Sequence, residues 1–190
     1  MQLYNNKKPI YFSQIREDLI AQIPSRDGNR VLDIGAGGCD TLLALKERGI
    51  ASEVYAVELF AIPNSNQNNP IIDKLFIGDI ENQTPDFPLD YFDVIMCGDV
   101  LEHLVNPWAA VEKLSRYLKQ GGVIIASCPN IREITNWSRI LLKGSFHYEQ
   151  SGIMDKTHLR FFCMQDMIEM LTTPELKPIK SQGNYFIAPR

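Results

Sequence analysis

Four residues of strand character run directly into three glycines in Val31-Leu32-Asp33-Ile34-Gly35-Ala36-Gly37-Gly38, and few folds accommodate such a junction. Glycines there let the backbone reverse sharply, with no Cβ in the way of a close neighbour or ligand. The helix predicted next, from about Asp40 to Arg48, points its unpaired N–H groups back at the same place. Leu42 and Leu45 mark its buried face and Gly49 its end. Strand, glycine turn and helix together open a βαβ unit, whose ligand end is the carboxyl end of the strand.

The rest of the chain continues that alternation. Glu53–Glu58, Lys74–Ile77, Phe92–Cys97 and Val123–Ser127 read as further strands. Asn106 and Pro107 cap a helix burying Ala110, Val111, Leu114, Tyr117 and Leu118, which Gly121-Gly122 is expected to end. Upstream, Ser13 can cap a helix carrying Ile15, Leu19, Ile20 and Ile23 that Pro24 stops. The Asn- and Pro-rich stretch from Ala61 to Pro70 predicts a loop or a single helical turn where a full crossover helix would be usual. An amphipathic stretch with Ile134, Trp137, Ile140 and Leu141 precedes an irregular segment from Gly144 to Phe162, then a helix around Met164 to Leu171. Lys177–Lys180 and Tyr185–Ala188, separated by Gln182-Gly183-Asn184, read as a terminal hairpin, so the sheet should end on an antiparallel strand. The expectation is an α/β, Rossmann-like three-layer sandwich with a mostly parallel sheet and right-handed connections.

With 190 residues, 45% of them hydrophobic and 22% charged, one domain spanning 1–190 is expected, with residues 130–162 as a cap. Cys39, Cys97, Cys128 and Cys163 show no metal-knuckle or dithiol spacing, which suits reduced thiols in a cytoplasm. Apolar runs such as Val123–Ala126 fall far short of the roughly 20 residues that span a bilayer, so no membrane partner is expected. A net charge of −4 disfavours a nucleic-acid substrate, since grip on phosphates rests on clustered Lys and Arg.

The ligand end can be narrowed further. Glu58 ends the second strand, where α/β nucleotide sites place a carboxylate to accept from ribose hydroxyls. Asp79 ends the third, in reach of an adenine amino group, with Phe60 or Ile80 as apolar cover. A dinucleotide fingerprint needs a third glycine where this chain has Asp40, and a P-loop needs Gly-Lys followed by Ser or Thr, which is absent. An anionic residue at the helix entry suits a ligand that lacks phosphate and carries a cation. S-adenosyl-L-methionine, a sulfonium bearing an ammonium, is such a ligand.

Val31–Gly38, Val57-Glu58, Gly78-Asp79, Phe92–Ile95, Asp99-Val100-Leu101-Glu102-His103-Leu104 and Leu118–Gly122 together resemble the ordered motifs of class I S-adenosylmethionine-dependent methyltransferases, over roughly residues 28 to 130. The resemblance implies a seven-stranded sheet with an antiparallel last strand. It also implies Asp33, Gly35 and Gly37 around the methionine moiety, Glu58 and Leu59 at the ribose, Asp79 and Ile80 at the adenine, and backbone near Gly98 and Asp99 closing the site. Asp155–Phe162 is similar to a segment of methyltransferases encoded with bacterial surface-polysaccharide glycosyltransferases.

Methyl transfer from a sulfonium needs alignment of the acceptor and, for a hydroxyl, a base. His103 and His158 are the candidates, with a sugar-linked hydroxyl as the expected small-molecule acceptor. A quinone-like phenol or carboxylate, or a catalytically silent cofactor-binding module, are the alternatives. Asp99, Glu102 and His103, with His158 as a fourth residue, also resemble a metal motif of some quinone-type and small-RNA methyltransferases. Carboxylate with imidazole would suit Zn²⁺ or Mn²⁺ better than Mg²⁺. No metal is assigned from the sequence.

Overall fold

The computed structural model of the chain describes residues 14–183. Its sheet is built from β1 (Asn29–Ile34), β2 (Ala51–Glu58), β3 (Lys74–Ile77), β4 (Phe92–Gly98) and β5 (Leu118–Ser127), in the order β3-β2-β1-β4-β5 with every pair parallel. The helices are α1 (Glu17–Ile20), α2 (Asp40–Glu47), α3 (Pro107–Ser115), α4 (Ile134–Lys143) and α5 (Met164–Met170). The order places β1 at the centre between β2 and β4, so the turn after β1 opens where the chain's crossovers diverge. Open α/β sheets bind ligands at that switch point.

Strand side chains alternate between the two faces. Leu32, Ile34, Ile95 and Cys97 pack with Ala110, Val111 and Leu114 of α3 and Met170 of α5. Val31, Val94 and Met96 pack on the other face with Leu19 and Ile20 of α1 and Leu42 and Leu45 of α2. Because β1 and β4 are covered on both sides, they are buried over nearly their whole length, as the inner strands of a parallel sheet are. The expected three-layer sandwich is therefore present.

The expected seven strands are not. Among the described residues the sheet has five, and none is antiparallel. Lys177–Lys180 is irregular and largely exposed, because only Leu176 beside it reaches the core. Tyr185–Ala188, the other half of the expected hairpin, lies outside the described residues, as does the Ser13 cap. The first helix is a single turn rather than a run to Ile23. Gly121-Gly122 does not end α3, which stops at Ser115. The two glycines instead lie within β5, where the pairing with β4 shifts register between Phe92/Leu118 and Val94/Val123 and Gly121 takes a φ of +75°. The crossover after β2 is a single 3-10 turn, Asn66–Asn68, as its Asn-rich sequence predicts.

α4 is unusual in orientation. Its one buried residue is Asn136, while Ile134, Trp137, Leu141 and Leu142 are exposed, Leu142 by 83%. Glu133 caps it through the backbone N–H groups of Thr135 and Asn136, and Gly144 ends it at a φ of +59°. Among the described residues no helix is long and apolar enough to cross a membrane.

Candidate active site

The glycine turn after β1 is held from three sides. Gly35 and Gly37 take φ values of +71° and +54°, where a side chain would be strained. A Cβ on Gly35 would also stand 2.4 Å from Val100 Cγ2. The Gly37 N–H donates to Glu58 Oε2 at 2.9 Å, and Leu59 N–H donates to Glu58 Oε1 at 2.8 Å. From the far side the short crossover folds back. Asn66 N–H donates to the Gly38 carbonyl at 3.0 Å, Gln67 Nε2 to that of Gly37 at 2.8 Å, and Asn66 Nδ2 to Asp40 Oδ1 at 3.0 Å. The Asn-rich stretch thus braces the glycine turn.

Asp33 and Glu58 are buried at the ends of β1 and β2. Burial pushes the Asp33 carboxyl up to about 7, with Arg16 lowering it and Glu58 raising it further. Burial also raises Glu58, against the backbone N–H groups that stabilise its charge. Two carboxyls that resist ionising close together form a place where a ligand cation is stabilised. Asp79 organises its own turn, accepting from Glu81 N–H at 2.9 Å and Asn82 Nδ2 at 2.6 Å, while Ile80 is buried beneath it.

Asp99 takes a left-handed φ of +54° just beyond β4 and accepts from Ser127 Oγ at 2.8 Å and from Arg16 Nη1 at 3.0 Å. Arg16 is the residue that sequence reasoning missed. Its guanidinium also bonds Asp18 and Ser127 Oγ and lies so close over Gly98 that a Cβ there would stand 2.8 Å from Nη1. It is a cation over a groove whose strand ends are acidic, suited to a carboxylate. The available signal was its position at the start of the helix that covers the sheet's end.

On the other side of Asp99, the 3-10 turn Leu101–His103 places Glu102 and His103 against His158. One carboxylate oxygen and one nitrogen from each imidazole lie within 4.8 Å of one another. Glu102 is 1% exposed; Cys128 Sγ donates to its Oε2 at 3.2 Å, while its Oε1 has no hydrogen-bond partner and stands 3.9 Å from His158 Nε2. Burial, with a contribution from Asp99, pushes the Glu102 carboxyl up to about 8. Cys128 is a second residue of this wall that the sequence did not single out. Asp99, the further acidic residue of the motif, is instead taken up by Arg16 and Ser127.

The eleven residues expected from the sequence, namely Asp33, Gly35, Gly37, Glu58, Leu59, Asp79, Ile80, Gly98, Asp99, His103 and His158, all border one open groove, which takes in the carboxyl ends of the strands and continues along β5. A parallel sheet in this order, with a glycine turn, acidic strand ends and no phosphate cradle, defines a class I methyltransferase domain that takes S-adenosyl-L-methionine. A family model described as a methyltransferase domain matches residues 10–173, and the chain belongs to that family.

Curated relatives include ubiquinone biosynthesis O-methyltransferases. That of Xanthomonas campestris is 27% identical over 159 residues, covering 75% of this chain and 65% of the relative. That of Idiomarina loihiensis is 29% identical over 165 residues, covering 84% and 66%. The chain therefore spans less than two thirds of the length of these two relatives. Among solved structures, a SAM-dependent methyltransferase from Archaeoglobus fulgidus superposes with a TM-score of 0.59 at 18% identity, covering 88% of this chain and 68% of that one. One from Aquifex aeolicus gives 0.58 at 16% identity, covering 90% and 84%. At these identities the two structures speak for the fold.

Proposed function

We propose that the domain transfers a methyl group from S-adenosyl-L-methionine to a hydroxyl of a small acceptor, and that the Glu102-His103-His158 cluster receives the acceptor's proton. The observation that carries this reading is the convergence of those three side chains beside the cofactor groove. The bound cofactor supplies a methyl on a positive sulfur, so no further activation of the donor is needed. Asp33 and Glu58 favour its ammonium and ribose, and Arg16 its carboxylate. An imidazole nitrogen of the cluster accepts the proton as the acceptor oxygen attacks in line. Relatives named for ubiquinone biosynthesis favour a phenolic hydroxyl as the acceptor. The sugar-linked hydroxyl expected from the Asp155–Phe162 segment has no such support.

A second reading concerns the same cluster. A buried carboxylate oxygen without a donor, next to two imidazoles, also fits a divalent cation, which would be held by Glu102, His103 and His158 and would lower the pKa of a bound hydroxyl. Imidazole-rich ligation matches Zn²⁺ or Mn²⁺ better than Mg²⁺.

Isotope-labelled S-adenosylmethionine incubated with panels of phenols, sugars and carboxylic acids tests the main reading. Methyl appearing on phenols, with a loss of about 10²-fold or more in kcat for His158→Ala at unchanged cofactor affinity, is the expected result. Cofactor binding without any product marks a silent module, and absence of submillimolar binding overturns the cofactor assignment. Metal content of untagged protein, wild type against Glu102→Gln, decides the second reading. It fails if neither carries stoichiometric metal.

A further inference from the structure

Both candidate histidines are held by backbone carbonyls of one loop. His103 Nδ1 lies 3.1 Å from the Thr157 carbonyl and His158 Nδ1 lies 3.0 Å from the Ile153 carbonyl. A carbonyl can only accept, so each Nδ1 must carry the hydrogen, and in the neutral ring Nε2 keeps the lone pair. For His158 that lone-pair atom is the one 3.9 Å from Glu102 Oε1. The tautomer of each ring is therefore set by where those two carbonyls point, and that depends on how the loop is folded.

The loop folds around Asp155, which is 2% exposed. Its Oδ1 accepts from both Thr157 N–H at 2.9 Å and Thr157 Oγ1 at 2.8 Å, and its main chain accepts from His158 N–H at 3.0 Å. The next two residues reach back to the turn after β4, Leu159 and Arg160 N–H both donating to the Glu102 carbonyl at 2.8 and 3.0 Å. Thr157 is thus clamped through two bonds to Asp155, and its carbonyl in turn fixes His103.

We infer that Asp155 is a positioning residue: it holds the 153–158 loop in the fold that keeps hydrogen on Nδ1 of His103 and His158 and leaves Nε2 as the proton-accepting or ligating nitrogen. Its relevance to turnover rests on the reading of the cluster given above; the tautomers themselves can be observed without any acceptor. With His147, which is exposed, the chain has three histidines, so the spectrum has an internal reference.

The test is long-range proton–nitrogen correlation on protein labelled with ¹⁵N at the imidazoles, at a pH where the rings are neutral. Wild type should show Nδ1–H rings at 103 and 158. Asp155→Ala should change the tautomer ratio of His103 by about tenfold, the equivalent of about 1.4 kcal/mol for a lost hydrogen-bonded clamp. Asp155→Asn, whose amide oxygen still accepts from Thr157, should restore the wild-type pattern. Retained S-adenosylmethionine binding shows that each variant is folded. If Asp155→Ala does not fold, Thr157→Val removes only the Oγ1 bond and should still shift His103 toward the other tautomer. Unchanged tautomers in a folded Asp155→Ala or Thr157→Val protein, or failure of Asp155→Asn to restore them, overturn the inference. A wild type that methylates nothing but shows the expected tautomers overturns the functional reading and leaves the clamp standing.

Discussion

At the scale of single residues, the site is a set of groups kept from their preferred states in water. Asp33 is the clearest case. Its folded-state pKa of about 7 lies above the ordinary value of 3.8, so the folded chain holds a proton that the unfolded chain releases. The stability this represents is complete below about pH 4 and is lost as pH rises through 7. Urea unfolding from pH 4 to 8 should therefore show wild type losing stability relative to Asp33→Asn, by a few kcal/mol in order of magnitude. Parallel curves for the two proteins would contradict it. The same variant should bind S-adenosylmethionine at least about tenfold more weakly, because a neutral amide cannot complement an ammonium, which calorimetric titration reads directly. Of these residue-scale features, the acidic strand ends and the glycines were legible in the sequence, since each sits at a fixed offset from a strand. Arg16 and Cys128 were not, because their partners lie 83 and 26 positions away.

At the scale of elements, the division between helices that carry stability and helices that do not follows from which way their apolar residues face. α3 buries Ala110, Val111 and Leu114 against the sheet, and Leu114 is 1% exposed. Leu114→Ala should destabilise by about 2–5 kcal/mol. α4 has the more amphipathic sequence, yet its leucines face outward. Leu141→Gln with Leu142→Gln should change unfolding free energy by no more than about 0.5 kcal/mol, measured by the same denaturation. A loss comparable to that of Leu114→Ala would mean that α4 packs its apolar face inward. Periodicity locates both helices but does not say which face meets the core, because that depends on what else lies against them. The lengths of β5 and α3 escaped the sequence for a related reason. Gly121-Gly122 resembles a helix stop, but the pairing of Leu118 with Phe92 draws the preceding residues into the sheet.

At the scale of the whole molecule, the groove links the turn after β1 to the cluster after β4, so cofactor binding should stabilise the entire sheet. At roughly 100-fold excess over Kd, a ligand bound only by the folded state adds about 2.7 kcal/mol, which raises Tm by roughly 5–10 °C for a chain of this size. A thermal scan with S-adenosylmethionine that shows no rise would separate this groove from the family's cofactor. By itself the sequence determined the parallel βαβ core, the place of the glycine turn and the carboxylates at successive strand ends. Those are local consequences of strand period, glycine freedom and helix polarity. Only the tertiary structure decided the number of strands among the described residues, the outward face of α4, and the meeting of Glu102 and His103 with His158. That last contact joins residues more than fifty positions apart, and nothing in their local sequence specifies the loop path around Asp155 that brings them together.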